Sequence, residues 1–490
     1  MAIQQVSASA STTLDQGSDT VINTMTITPG AGTYLALFSA TMVSNSAPVD
    51  ADTLFYTLYA NGSPVSQSER RFIEDDSFPV TEHMIANAAV ITVGSSQAID
   101  VRYRINPTGR PFSATYRTLT LIPVSSSNVT QITDGADDTL ASATYTVVDS
   151  MTTTPAAGDY LAIFSSSVEM DTDDDLAAFA FHVGGSIQQH TERTTLREQS
   201  YNQFGVPVLL AAMVSPNGSQ AVDVRWQRQA GSGTLTCRQR MLTLIKMTSG
   251  DWMQATATSN DSNTNTSPAA ITSMNLTPAA ADWVAIFGTS DYEVLGGTLF
   301  MYQLYVGGSA NTASRRDNLH EGSLDDGDTI LALHGLVSPN GSQVVDVRWW
   351  GDDTESRTVK ERTLVLIKEA SGTTTFTKTV TISAVLQKTV TKTVSISAVL
   401  LKSRSSQVTF DATLILLTVD LEGYRWRADN GSESTATWLE LQDTLHSGSV
   451  AENTRLRTII NTTGDISPNA WQLEYRRQGT LQWFRVLKDE

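Results

Sequence analysis

Apolar residues fall on both parities of one short strand, and that strand occurs three times. It reads Tyr34-Leu35-Ala36-Leu37-Phe38, then Tyr160-Leu161-Ala162-Ile163-Phe164, then Trp283-Val284-Ala285-Ile286-Phe287. Side chains alternate across a strand, so a strand that is apolar on both parities is covered on both faces. One face is expected in the core of its own module. The other is expected to be covered by a loop or by a neighbouring module. The copies open at Met25, Met151 and Met274, so they lie 126 (151 − 25) and 123 (274 − 151) residues apart.

A spacing of 122 or 123 residues runs through the further motifs. Asn61-Gly62, Gly184-Gly185 and Gly307-Gly308 each separate two apolar runs, and such pairs supply the positive φ that a two-residue hairpin needs. Arg70, Arg193 and Arg316 follow, with Asp75, Glu198 and Glu321 behind them. An alternating strand then recurs as Asp100-Val-Arg102, Asp223-Val-Arg225 and Asp346-Val-Arg348, and each copy closes on an Arg-rich apolar strand from Arg117, Arg240 or Arg362. A period held through separate motifs predicts three structural copies, at 1–127, 128–249 and 250–369. Each carries seven or eight short strand signals and no sustained helical period. That predicts an all-β chain of tandem antiparallel two-sheet sandwiches. At about 120 residues each copy can bury roughly two-thirds of its unfolded surface.

The order of these motifs resembles the tumour necrosis factor-like jelly rolls, over about 1–369. Members of that family form compact trimers through aromatic-bearing strand faces. The resemblance implies either three modules packed as a pseudo-trimer within one chain or three chains stacked in trimer layers. It marks Tyr34, Phe38, Tyr160, Phe164, Trp283 and Phe287 as expected module or subunit interface residues. Asp100/Arg102, Asp223/Arg225 and Asp346/Arg348 point to one face of their strand. They read either as lateral ion pairs or as charged contacts that fix register between modules, and they join the candidate interface. Arg70, Arg193 and Arg316 admit the same two readings.

Beyond the modules, Thr377-Lys-Thr-Val-Thr-Ile-Ser-Ala-Val-Leu386 returns at Thr391–Leu400, a 14-residue period (391 − 377). These are alternating strands with one apolar face, and a pair of them cannot bury that face alone. Residues 370–406 are expected to form a β-rich shaft or linker, and the repeat resembles segments of phage tail-fibre and appendage proteins. Residues 407–490 carry their own short strands, among them Tyr424-Arg-Trp426-Arg and Arg455-Leu-Arg457. They resemble a small fibronectin-like sandwich.

Composition narrows the function. The net charge is −18 over 490 residues, which argues against nucleic-acid and anionic-membrane partners. Cys237 is the only cysteine, so stability rests on packing rather than on intrachain disulfides. No apolar run is long enough to span a membrane, and the start Met1-Ala-Ile-Gln-Gln lacks the basic and apolar regions of a secretion signal. Folding in a cytoplasm is expected. None of the six histidines recurs at an equivalent repeat position, and no nucleophile elbow or phosphate-binding glycine motif is present. The acidic runs Asp171–Asp175 and Asp325–Asp328 match no calcium loop and read as solvated. No catalytic, metal or cofactor residue is expected. The expected role is a structural protein of a tailed-phage virion, as a decoration, fibre or appendage that forms oligomers, a trimer favoured, with other virion proteins as partners. The alternative is an adhesin for a host surface glycan, with Trp349-Trp350 or Trp252 as sugar-stacking platforms.

Overall fold

The computed structural model describes residues 2–368 apart from 45–51, 75–81, 107–110, 173, 197–203, 294–298 and 320–326. Beyond them it describes 377–384, 392–399, 407–409, 420–428, 435, 437–443, 447–449, 454–461, 473–476 and 483–486. Asp75, Glu198, Glu321 and the side chains of Asp325–Asp328 lie outside the described residues. The chain divides into two compact units, Met1–Ser371 and Gly372–Glu490.

Unit 1 is all-β, with only three short 3-10 turns among its described residues. Its first sandwich contains eight main strands. They are β1 (Gln4–Ala8), β2 (Thr20–Ile27), β3 (Gly32–Ser44), β4 (Asp52–Ala60), β5 (Arg70–Glu74), β6 (Glu82–Val93), β7 (Ile99–Asn106) and β8 (Phe112–Val124). One sheet has the order β1-β8-β3-β6 and the other β5-β4-β7-β2, all antiparallel, which is a jelly-roll arrangement.

The second sandwich repeats this set as β9 (Val129–Asp134), β10 (Thr146–Thr153), β11 (Asp159–Met170), β12 (Leu176–Val183), β13 (Arg193–Leu196), β14 (Phe204–Val214), β15 (Val222–Ala230) and β16 (Leu235–Met247). The third runs β17 (Trp252–Ala257), β18 (Ala269–Leu276), β19 (Trp283–Glu293), β20 (Leu299–Val306), β21 (Arg316–Leu319), β22 (Gly327–Val337), β23 (Val345–Gly351) and β24 (Arg357–Lys368). The hairpins after β4, β12 and β20 turn on Asn61-Gly62, Gly184-Gly185 and Gly307-Gly308, and all six residues have φ between 51° and 82°. Two left-handed residues in succession match the right-handed strand twist.

The sandwiches are joined through their sheets. β6 of the first pairs with β21 of the third at Glu82 and Leu319, making one ten-stranded sheet. β14 of the second pairs with β5 of the first at Gly205 and Ile73, making another. At the remaining seam β13 packs beside β22. Each sandwich thus lays the edge of one sheet against the next, and the third returns to the first. This is a head-to-tail interface whose rotation closes.

The described parts of unit 2 are two-stranded antiparallel ladders. Thr377–Ala384 pairs with Lys392–Val399, Gln407–Thr409 with Ser447–Ser449, Asp420–Ala428 with Thr454–Asn461, and Leu473–Arg476 with Trp483–Val486. In the first, Thr381 faces Ser395, the same position of the 14-residue repeat, so the two copies fold back on each other.

Candidate functional site

The central strands β3, β11 and β19 explain why both parities are apolar. Tyr34, Ala36 and Phe38 turn into the first sandwich's own core, with Met25, Tyr56 and Leu119. Tyr160 and Phe164 do so in the second, and Trp283 and Phe287 in the third. The other parity meets on a shared core. Leu35 and Leu37, Leu161 and Ile163, and Val284 and Ile286 form one cluster with Ile122, Ile245 and Ile367 from the closing strands. Burial of this aliphatic set, at about 25 cal/mol per Å², draws the sandwiches together without directional preference.

Direction comes from three arginines. Farther along the same parity the residues become Ser39 and Thr41, Ser165 and Ser167, and Gly288 and Ser290. Into this polar half of each face the preceding sandwich inserts a fully buried arginine. Arg70 donates from Nε to Ser165 Oγ at 2.8 Å and from Nη2 to Ser165 O at 2.8 Å, while Nη1 reaches Gln67 O and Gln239 O, also at 2.8 Å. Arg193 donates from Nη2 to Gly288 O and Thr363 Oγ1, both at 2.7 Å, and from Nη1 to Glu361 O at 3.0 Å. Arg316 donates from Nη2 to Ser39 O at 2.9 Å and from Nε to Ser39 Oγ at 3.2 Å. The order is first to second, second to third, third to first. Burial lowers Arg70 to about 10 and Arg193 and Arg316 to about 9, so all three keep their charge at neutral pH. A buried charge survives when hydrogen bonds replace its hydration, and here carbonyl and hydroxyl oxygens supply most of them.

Two further bonds repeat at every seam. The backbone N–H after each clasp arginine donates to a hydroxyl of the next sandwich: Arg71 N to Ser167 Oγ at 2.8 Å, Thr194 N to Ser290 Oγ at 2.7 Å, and Asp317 N to Thr41 Oγ1 at 2.8 Å. A glutamine on each first strand accepts a backbone N–H from the sibling behind it. Val90 N donates to Gln131 Oε1 at 2.7 Å, Met213 N to Gln254 Oε1 at 2.6 Å, and Leu336 N to Gln5 Oε1 at 2.7 Å. Gln5, Gln131 and Gln254 are 126 (131 − 5) and 123 (254 − 131) residues apart, the spacing of the central strand.

Two side-chain departures from the threefold pattern fall at the clasps. Gly288 stands where the other seams have Ser39 and Ser165, and Arg193 Nε is buried there without an acceptor. His334 stands where the register places Ala88 and Ala211, opposite Ile286. It is buried at the closing seam, with Nδ1 3.0 Å from Ser39 Oγ and Nε2 without a partner. Burial, and then the nearby Arg316, push its pKa well below the usual imidazole range.

The expected interface residues therefore divide differently from the sequence reading. Tyr34, Phe38, Tyr160, Phe164, Trp283 and Phe287 fill the sandwiches' own cores, because each aromatic needs the deeper space between two sheets. The sibling-facing surface takes the smaller aliphatics one residue away. Tyr34 Oη and Trp283 Nε1 still find partners, donating to Gly30 O at 2.8 Å and Ala279 O at 3.0 Å. Asp100/Arg102, Asp223/Arg225 and Asp346/Arg348 close on themselves at 2.7, 2.6 and 2.7 Å within their own sandwiches. Arg102 and Arg348 also stack on Tyr59 and Tyr305, each 4.3 Å from the ring centroid. Arg70, Arg193 and Arg316 make the inter-module contact, and the glutamines and hydroxyls that join them were missed. Their signal was the same fixed spacing, hidden because Gln, Ser and Thr are common surface residues.

The remaining candidate chemistry is structural where it is described. Asp175 is buried rather than solvated. It accepts from Gly233 N at 2.9 Å and from Thr172 Oγ1 at 2.7 Å. Among the described residues no group of three or more His, Cys, Asp or Glu is arranged to hold a metal ion. Cys237 is buried, and desolvation pushes its thiol up to about 12. Trp349 lies in the third core and Trp252 packs against the shared core, while Trp350 is half-buried with the Arg315 guanidinium 5.9 Å from its ring centroid.

Fold and site together define a single-chain ring of three jelly-roll sandwiches. No protein-family model matches the chain, and no curated protein is similar to it in sequence. Among solved structures it is similar to one of Sulfolobus Turreted Icosahedral Virus, with 11% identity over 75% of this chain and 91% of that one, at a TM-score of 0.19. It is similar to PNGF-II at 8% identity, covering 66% and 98% of the two chains at a TM-score of 0.24. A structure of infectious bursal disease virus Gx strain gives 8% identity, 77% and 88% coverage, and a TM-score of 0.18.

Proposed function

We propose that the chain is a non-enzymatic structural protein of a tailed-bacteriophage virion, serving as a decoration, fibre or appendage. The observation that carries this reading is the closed ring of arginine clasps around one shared core. Such a construction spends its buried polar groups on holding modules in place rather than on chemistry. The strand orders β1-β8-β3-β6 and β5-β4-β7-β2 support the tumour necrosis factor-like reading, with three sandwiches of one chain taking the place of a trimer. Because unit 1 fills its threefold face with its own siblings, assembly with further copies falls to the 370–406 segment, and a trimer is favoured there. Other virion proteins are the remaining partners. Quantitative mass spectrometry and imaging of purified particles test the role. A fixed copy number per particle is expected, and a chain that washes off intact particles rejects it.

A further inference from the structure

The ladder of Asp420–Ala428 with Thr454–Asn461 places like charges opposite one another. Arg425 is registered with Arg457, and Arg427 with Arg455. Directly opposed residues of an antiparallel pair share a face, and so do residues two apart, so the register assigns the four positions to one face of the ladder. Like charges opposed in a sheet are destabilising. From Gly423 to Ala428 and from Thr454 to Ile459 neither strand carries a carboxylate.

An indole lies on this face. Trp438 bridges to Arg427, and the guanidinium carbons of Arg425 and Arg427 lie 4.3 and 4.7 Å from its ring centroid. Arg425 is held in place by donating from Nε to Glu440 O at 2.9 Å. Arg427 is buried beneath the ring, while Trp438 remains 38% exposed and Leu441, three residues on, 74% exposed. An indole kept at the surface by stacked cations, with an aliphatic neighbour in solvent, is a platform for an apolar ring face. Forked donors beside it suit carboxylates.

We propose that this face binds an acidic polysaccharide, with Trp438 stacking on a sugar ring and Arg425 pairing with its carboxylate. Among the described residues one indole lies beside these arginines, which suits a sugar ring better than a nucleic-acid strand, whose successive bases stack on several aromatics.

The test uses the full chain and polygalacturonate as probe, with neutral dextran and a single-stranded oligonucleotide as comparisons, by calorimetry and affinity electrophoresis. Polygalacturonate is expected to bind, dextran not, and added salt to weaken the binding. Trp438→Ala and Arg425→Gln are each expected to weaken it by about tenfold, and Arg425→Lys by less. An unchanged thermal melt of the variants separates loss of the site from loss of folding. No binding to polygalacturonate, equal binding to dextran, tighter binding to the oligonucleotide, or an unaffected Trp438→Ala variant each overturns the proposal.

Discussion

Replacing Gly288 with serine should strengthen the one clasp whose arginine Nε lacks an acceptor. At the other two seams a serine Oγ at this position lies 2.8 Å from Arg70 Nε and 3.2 Å from Arg316 Nε, whereas Arg193 Nε is buried and unpaired. A Cβ built on Gly288 falls 3.3 Å from Arg193 Nη2, 3.5 Å from Nε and 3.7 Å from Leu331 O, so the guanidinium must move by a few tenths of an ångström. Satisfying a buried charged donor is worth about 1–3 kcal/mol, and removing a strand glycine adds about 0.5–1 kcal/mol. Crowding takes part of that back, leaving a gain of about 1–2 kcal/mol. Urea unfolding at neutral pH, with the m-value held constant, reads the change. Gly288→Ala is the control, because it adds the Cβ without the hydroxyl. A Gly288→Ser variant no more stable than Gly288→Ala refutes the hydroxyl argument, and one less stable than the parent refutes the assigned geometry.

Arg316→Met should cost about 1–3 kcal/mol for each of Ser39 O and Ala313 O left without this donor inside the seam; it should also speed proteolysis of unit 1. Gln131→Ala should cost about 1–3 kcal/mol by leaving Val90 N–H unpaired, and should accelerate amide exchange at Val90. Leu37→Ala, in the shared core, should cost about 2–5 kcal/mol in the same urea assay. Burial lowers His83 and His190 to about 4 and holds His334 well below the ordinary value of 6.5. The unfolded chain therefore binds these protons first, and stability should be intact above pH 6.5 and fall as pH drops toward 4. The slope approaches about 1.4 kcal/mol per pH unit for the buried His334 and is shallower for the half-buried His83 and His190. Opposing this, burial raises Glu82 to about 7, so the folded chain takes up that proton first and the slope is partly offset down to its ordinary value of 4.5. His334→Ala, which restores the residue of the sister modules, should flatten the acid limb of a denaturation-midpoint series measured from pH 7 to 4.

The sequence by itself determined the all-β class and the glycine turns, because those depend on local spacing and backbone preference. It also marked the central strand as covered on both faces, since a period of two is legible in five residues. It did not determine which parity met a sibling. Leu35 and Phe38 are both apolar, and only the depth between two sheets decided that the aromatics turn inward and the aliphatics outward. The tertiary structure likewise decided the role of Arg70, Arg193 and Arg316. Their acceptors lie 95 residues away at Ser165, 95 away at Gly288 and 277 away at Ser39. A carbonyl is present at every position of a chain, so no sequence pattern distinguishes the ones that an arginine will find. Closing the ring brings those carbonyls to the guanidinium, and without that closure the same arginines would be ordinary surface charges.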